Sequence, residues 1–343
     1  MSIFPRPALV FLLAVMTSFA VNARELYLYN WEDFMDPGVL KDFERETGIK
    51  VIEDNFASNE ELLAKLQAGG GGYDLIVPSD YMVAIMARQG LLARLDHANL
   101  PNLVNLEPRF RQLPFDPGNA YSVAYFWGVT GIGYNKALVS RSPESWRDLF
   151  GETSLARYKG RISMLNDMRE VIGAALISLG HSPNSTDEQA LAAAKQLLIT
   201  QKASLAKYDS ETFEESVAAG ELAMTQGWSG EFFTAMVENP DVAFVVPREG
   251  TLQFVDNLAI PANSKNKRDA ESLIDFLLRP DIAARIANHV GYPTPNRAAR
   301  DKLDPASPGA NFVVPEAVPL YSLEDLGDRG ATHERIWTEI KAR

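Results

Sequence analysis

Short apolar runs alternate with amphipathic helical segments along the first third of the chain. The runs that predict strands cover residues 25–30, 49–53 and 73–79. Between them, Asp36 and Gly48 are typical of the start and end of one helix, and Ser58 with Glu61 forms the capping pattern of a second. This β-α-β-α-β order predicts a parallel sheet covered by helices.

The same alternation returns farther along the chain. Strands are predicted at 161–165, 222–226, 244–246 and 258–260, and helices at 171–179, 190–198, 214–219, 270–278 and 281–289. The sequence shows no internal repeat and no low-complexity linker. We therefore expect an α/β fold of two lobes joined by strands that cross between them. In such open sheets, ligands sit beyond the carboxyl ends of the strands.

The first 23 residues have the pattern of a secretory signal peptide. Arg6 precedes an apolar run at 9–16, and small residues lead to Ala23, after which we expect cleavage. The apolar run is short for a membrane span. The chain has no cysteine, so neither a disulfide nor a lipid anchor is expected. These features predict a protein that is exported to the periplasm.

Composition and charge narrow the classes of function. Removal of residues 1–23 leaves 320 residues (343 − 23), enough for two lobes with substantial cores, and 46% of the chain is hydrophobic. The net charge of −12 disfavours nucleic acid as a partner and attracts cations. The four histidines are scattered and no nucleophile–base motif is present. We therefore expect no metal, no cofactor and no enzyme activity.

Aromatic and acidic residues recur together at predicted strand ends and loops. They are Trp31 with Asp33, Tyr81, Asp167 with Glu170, Trp228 with Glu231, Phe254 with Asp256, and Tyr292. Carboxylates pair with charged nitrogens, and aromatic faces accept methylenes and the remaining positive charge. The combination indicates an organic cation with apolar stretches, and hence a polyamine pocket.

Several of these residues also have a simpler interpretation. Trp31 is placed to cap the core, and Ser79 to cap the helix that carries Tyr81. Asp167 and Glu170 suit the first turn of a helix, where acids complement the helix dipole. A hydrolase built on two carboxylates is a further alternative, although one helical turn rarely supplies the separation that a glycosidase needs. Sequence alone leaves these alternatives open.

Several ordered segments carry a family resemblance. They are Tyr29-Asn30-Trp31, residues 46–51, residues 73–79, Asp167-Met168-Arg169-Glu170, and residues 258–263, 276–280 and 291–296. Over essentially the whole mature sequence, the chain resembles the periplasmic spermidine/putrescine-binding proteins of polyamine ABC importers. The resemblance implies a two-lobed (type II) periplasmic binding protein fold, with mainly parallel sheets and a ligand cleft between the lobes. It places residues 24–130 and 254–305 in one lobe, and 131–253 and 306–343 in the other.

The resemblance also assigns roles by position. The implied aromatic walls are Trp31, Phe34, Tyr81, Trp228, Phe254 and Tyr292. The implied ammonium partners are Asp33, Asp167, Glu170 and Asp256, with Glu32 and Ser79 as polar neighbours and Glu231 as an acid of the putrescine-type proteins. The implied partner is an inner-membrane ABC permease, and we expect a monomer. A sensor module that regulates a membrane receptor is the alternative.

Some residues resemble those of diamine-binding members of the family, and others resemble those of spermidine-binding members. Phe254 and Glu231 resemble the diamine binders, whereas the turn at 293–296 is similar to that of spermidine binders. The residue that grips the distal amine in spermidine binders falls at Leu323 or Glu324 by position. We expect a spermidine-like triamine, with a putrescine-selective protein as the alternative.

Overall fold

The computed structural model describes residues 24–69, 72–307, 309, 312 and 314–342. The predicted signal segment, residues 1–23, lies outside the described residues. None of the helices within the described ranges combines the length and the apolar character that crossing a bilayer requires.

The chain first builds parallel strands with their connecting helices, and then a separate two-stranded antiparallel sheet formed by its fourth and fifth strands. The strands are β1 (Arg24–Trp31), β2 (Ile49–Phe56), β3 (Leu75–Ile76), β4 (Gln112–Leu113) and β5 (Asp116–Pro117), and the helices are α1 (Pro37–Thr47), α2 (Asn59–Gln67) and α3 (Asp80–Arg88). The predicted cap of α1 is confirmed, because Asp36 accepts a hydrogen bond from the Gly38 amide at 2.7 Å. Gly48 ends α1 with a φ of 70°.

A long strand, β6 (Ser122–Asn135), then leads into a second group of elements. Its strands are β7 (Ile162–Met164), β8 (Lys207–Tyr208), β9 (Met224–Trp228) and β10 (Val242–Val245). Its helices are α4 (Arg147–Phe150), α5 (Glu152–Arg157), α6 (Met168–Ser178), α7 (Glu188–Lys202), α8 (Phe213–Ala218) and α9 (Ser229–Glu238).

The chain returns through β11 (Thr251–Ala259), followed by α10 (Lys267–Leu277), α11 (Pro280–Val290), β12 (Leu320–Ser322) and α12 (Gly330–Lys341). Short 3₁₀ helices cover His97–Asn99, Pro101–Asn105, Pro108–Arg111, Arg297–Lys302 and Gly327–Arg329. The predicted helices at 270–278 and 281–289 are confirmed within a few residues.

One continuous sheet runs through both groups of elements in the order β2-β1-β3-β11-β6-β9-β7-β8, with β10 also pairing with β6 and β12 with β11. The outer pairs, β1 with β2 and β3, and β7 with β8 and β9, are parallel. The pairs that β6 forms with β11, β9 and β10 are antiparallel. The predicted α/β class with crossing strands is therefore confirmed.

Separate hydrophobic cores lie on the two sides of the crossing strands. Phe43, Phe126 and Leu258 belong to the core of what we call the first lobe. Trp146 and Phe232 belong to the core of the second lobe. The C-terminal helix α12 packs its apolar face into the second core. The two lobes leave an open space between them, beside β6 and β11.

Candidate functional site

The space between the lobes is a cavity of about 590 Å³. Eleven of its lining residues carry carboxyl groups: Glu32, Asp33, Glu61, Asp80, Asp167, Glu170, Glu211, Glu214, Glu215, Glu231 and Asp256. Eight are aromatic: Trp31, Phe34, Phe56, Tyr81, Phe213, Trp228, Phe254 and Tyr292. Among the described residues that line it, none is Lys, Arg or His. The cavity therefore has the electrostatic character of a cation site.

The structure brings all the residues singled out from the sequence to this cavity. Trp31, Glu32, Asp33, Phe34, Ser79, Tyr81, Asp167, Glu170, Trp228, Glu231, Phe254, Asp256 and Tyr292 all line it. Leu323 lines it as well. Within the described ranges, no three His, Asp or Glu side chains converge in an arrangement that could hold a metal ion. The carboxylates are instead distributed along the cavity.

Ser79 connects the end of β3 to a carboxylate on the crossing strand β11. Its hydroxyl donates a hydrogen bond to Asp256 Oδ1 at 2.7 Å and accepts one from Asn59 Nδ2 at 3.0 Å. Ser79 does stand just before α3, but its hydroxyl makes no capping bond there. Asp256 is 3% exposed, and burial raises its pKa to about 7, although the Ser79 bond opposes the shift.

Asp167 and Glu170 begin α6 in the second lobe. Asp167 caps the helix by accepting hydrogen bonds from the amides of Arg169 at 2.8 Å and Glu170 at 3.0 Å. Glu170 Oε2 accepts a hydrogen bond from Thr130 Oγ1 at 2.8 Å. Burial first, and then the charge of Asp167, raise the pKa of Glu170. Asp167 therefore caps α6, and both acids also line the cavity.

Arg169 lies between these two acids in the sequence but is not among the residues that line the cavity. Its guanidinium donates to the Glu324 carbonyl at 3.1 Å and to Asn184 Oδ1 at 3.0 Å. Its Cζ atom lies 5.5 Å from the centre of the Tyr81 ring, which belongs to the first lobe. Arg169 thus holds the segment before α12 in place, and Glu324 takes part through its backbone.

Trp228, at the end of β9, has more local packing than its glycine-rich surroundings predict. Its ring meets Phe213 edge-to-face with centroids 5.8 Å apart, and it contacts the cores of both lobes. The neighbouring glycines give no local sign of this packing, because the contacts come from Phe213 and from both cores. A ring wedged in this way gives the cavity a rigid wall, whereas an isolated ring would be mobile.

Tyr292 and Glu231 form a further part of the cavity wall. The Tyr292 hydroxyl donates a hydrogen bond to Glu231 Oε2. The Tyr292 ring also packs near Phe34 and Phe254, with centroids 5.2 and 5.9 Å away. Burial chiefly raises the pKa of Glu231 to about 8, and the charges of Glu214 and Asp256 add to the shift.

Some lining residues were not singled out from the sequence. Phe56 contacts Trp31 with ring centroids 4.5 Å apart, and Asp80 immediately follows Ser79. Residues 210–215 form a further part of the wall. Asp80 had a signal, since it comes directly after a buried strand. For the acids at 211–215, the only signal of a binding site in the sequence was their clustering, and clustered acids are equally typical of a solvated surface.

Comparison with known proteins also indicates a solute-binding protein. Residues 38–312 match the family model described as bacterial extracellular solute-binding protein. The chain is 39% identical to the spermidine/putrescine-binding periplasmic protein of Salmonella typhimurium, covering 96% of this chain and 95% of that protein. It is 34% identical to the putrescine/cadaverine-binding protein of Pseudomonas aeruginosa, covering 94% and 95%.

A solved structure agrees with the fold. The putative spermidine/putrescine ABC transporter protein from Listeria monocytogenes superposes with a TM-score of 0.86 at 36% identity, covering 93% of this chain and 99% of that one. The family model covers the cavity-wall residues from Asn55 to Tyr292, and the Salmonella relative aligns with 96% of the chain. The chain therefore belongs to the bacterial extracellular solute-binding protein family, whose members bind substrates for transporters.

Proposed function

We propose that this protein captures a polyamine in the periplasm and delivers it to an inner-membrane ABC importer. The observation that carries the proposal is a single cavity with eleven carboxyl groups, eight aromatic side chains and, among its described lining residues, no basic side chain. The relatives are spermidine/putrescine-binding and putrescine/cadaverine-binding proteins, which supports the same ligand class.

Eleven of the thirteen residues expected from the sequence divide into two roles in this proposal, and Glu32 and Ser79 are their polar neighbours. Carboxylates bind the ammonium groups through charge-assisted hydrogen bonds, and aromatic faces cover the methylenes between them. Each desolvated contact between a cation and a ring contributes roughly 1–2 kcal/mol. Three or four such contacts, with the hydrogen bonds, support micromolar or tighter binding, which is about −8 kcal/mol or better.

Binding and closure of the lobes are coupled in this proposal. We take residues 24–130 and 254–305 as one moving body, and 131–253 and 306–343 as the other. The separate cores support this division. The cavity walls of both bodies carry acids that repel one another without a cation, so an ammonium between them favours the closed form. The protein acts as a monomer, needs no cofactor and leaves its ligand chemically unchanged.

The membrane partner separates two versions of the function. An importer subunit presents its closed form to an ABC permease, whereas a sensor module presents it to a signalling receptor. The family membership favours the permease, since its members serve transporters. Reconstituted permease and ATPase from the same genome, with radiolabelled spermidine, would test this directly. Uptake that does not depend on the binding protein would contradict the importer role.

The identity of the ligand is tested by calorimetric titration with putrescine, spermidine and norspermidine. We expect micromolar or tighter binding, with the triamines favoured over putrescine because the acids extend along the whole cavity. Preference for putrescine would establish the alternative that Phe254 and Glu231 suggest. An absence of binding to all three amines would contradict the proposed function.

A further inference from the structure

The segment between β12 and α12 is hydrogen-bonded to the second lobe. Asn184, which lies between α6 and α7, donates through Nδ2 to the Ser322 carbonyl at 2.9 Å and accepts from the Glu324 amide at 3.0 Å. Arg169 of α6 donates to the Glu324 carbonyl at 3.1 Å. We call residues 322–329 the strap. Because these bonds attach it to α6 and to the turn after α6, the strap belongs with the second lobe.

The strap carries an ion pair to the first lobe. Arg88 is the last residue of α3, and its Nη1 atom pairs with Oδ2 of Asp325. The other carboxylate oxygen of Asp325 accepts a hydrogen bond from the Gly327 amide at 2.8 Å, which fixes the side chain. Helix α3 is anchored in the first lobe, since Met86 shares a buried cluster with Ile76 of β3. The pair therefore joins the two lobes, and neither partner lines the cavity.

Two further contacts cross between the lobes near this pair. Leu323 of the strap packs against the core of the second lobe and against the first-lobe cluster that contains Met86. The Arg169 Cζ atom lies 5.5 Å from the centre of the Tyr81 ring, one turn of α3 from the cluster. Movement of α3 away from the strap would break these contacts together with the ion pair. They favour the closed form, and so oppose the repulsion between acids across the cavity.

Building on the proposed polyamine function, we propose that Arg88 and Asp325 form a latch that holds the lobes closed over the bound amine. Both are positioning residues, because they lie outside the cavity and do not touch the ligand. Release requires the lobes to open, whereas capture uses the open form, so the latch acts on the dissociation rate. Exposed ion pairs are weak, so the expected effect is about threefold and decreases with salt.

The test measures spermidine release by stopped-flow fluorescence in wild type, Arg88→Gln, Asp325→Asn and the double variant. Asparagine keeps an oxygen for the Gly327 amide, so the strap retains its turn. Each single variant should release spermidine about threefold faster at low ionic strength. The double variant should be no faster than either single one, because all three remove the same pair. Independent, multiplying effects of the two substitutions would overturn the proposal.

Arg141→Gln is the matched control. Arg141 pairs with Asp148 at 2.8 Å within the second lobe, and the side-chain exposures of 65% and 19% are close to the 58% and 15% of Arg88 and Asp325. Because it removes the same positive charge, it corrects for any general change in attraction of the amine. Equal release rates for Arg88→Gln and Arg141→Gln would overturn the latch.

Salt and the unliganded protein supply two further readouts. In about 1 M sodium chloride the difference between Arg88→Gln and Arg141→Gln should disappear, since exposed charges are then screened. A difference that persists would mean lost packing instead of a lost ion pair, and would also overturn the proposal. Without ligand, small-angle scattering should show a larger radius of gyration for Arg88→Gln than for the control. This readout tests the latch even if wild type binds no polyamine, a result that would contradict the proposed function itself.

Discussion

The hydroxyl of Tyr292, from the first lobe, donates a hydrogen bond to the carboxylate of Glu231 in the second lobe. Tyr292 is 2% exposed, so this bond joins the two walls of the cavity at a buried point. The bond therefore fixes the orientation of the Glu231 carboxylate and links the two lobes at one point of the cavity.

Replacing Tyr292 with phenylalanine tests this bond. Tyr292→Phe keeps the ring but leaves Glu231 without its donor, so we expect spermidine affinity to fall by about tenfold, equivalent to about 1.4 kcal/mol. Tyr134→Phe is the matched control. Its hydroxyl bonds to Ser142 Oγ at 2.9 Å, outside the cavity. Equal affinities for the two variants in calorimetry would contradict a role for the Tyr292 bond in binding.

Asp256→Asn should separate binding from stability. The variant removes a buried negative charge but keeps an oxygen that can accept the Ser79 hydrogen bond. We expect spermidine affinity to fall at least about tenfold, while the melting temperature of the unliganded protein does not decrease. The control is Asp241→Asn, which neutralises an exposed carboxylate outside the cavity. A lowered melting temperature with unchanged affinity would remove Asp256 from the site.

Polyamine binding should weaken as the pH falls through 8 and 7. In the empty cavity, burial raises the pKa of Asp256 to about 7 and that of Glu231 to about 8. A bound ammonium favours the ionised forms and lowers both pKa values, so protons compete with the ligand. Calorimetry near pH 7, in buffers with different heats of ionisation, should show proton release on binding. Affinity that is constant from pH 6 to pH 8, without proton release, would count against burial of these acids.

The same groups give the unliganded protein the opposite dependence on pH. Their pKa values in the folded protein exceed the unfolded values of about 4. Their contribution to stability is therefore present below pH 4 and is lost as the pH rises through 7 and 8. The increase in melting temperature caused by spermidine should thus be larger at pH 8 than at pH 6. A larger increase at pH 6 would show that the sign of this linkage is wrong.

Gly230→Ala should hold the lobes apart. Gly230 lies in the first turn of α9, and a β-carbon there would overlap the ring of Tyr292. We expect weaker spermidine binding and a smaller decrease in the radius of gyration on ligand addition, measured by small-angle scattering. Gly330→Ala is the control, because its β-carbon would make only ordinary contact, with Leu326 at 3.9 Å. A wild-type response of Gly230→Ala to spermidine would mean that Tyr292 has room to move.

Local signals made much of the fold predictable. Asp36 caps the start of α1, and Gly48 ends the helix in a left-handed conformation. Ser58 accepts a hydrogen bond from the Glu61 amide at 3.2 Å. Trp31 and Trp228 were recognisable because they end β1 and β9, and strand ends converge at one edge of a sheet. Their burial and partners were less predictable. Ser79 bonds to a residue 177 positions away, which no local pattern encodes.

Strand β6 was missed for a physical reason. Gly128, Gly131 and Gly133 interrupt its apolar run, and glycine is unfavourable in strands. In the structure, the rings of Phe254, Phe244 and Phe232 occupy the space that β-carbons at these glycines would need. The glycines make room for rings that come from distant parts of the chain, so their purpose is visible only in the folded protein.

The continuity of β6 also limits how the molecule can open. Residues 122–129 of this strand are hydrogen-bonded to β11, and residues 130–134 to β9. In the proposed closure, the connection between the lobes is therefore a hydrogen-bonded strand and not a flexible linker. On the proposed function, this pairing would keep the two cavity walls nearly aligned before an amine binds, and so reduce the entropy lost on binding.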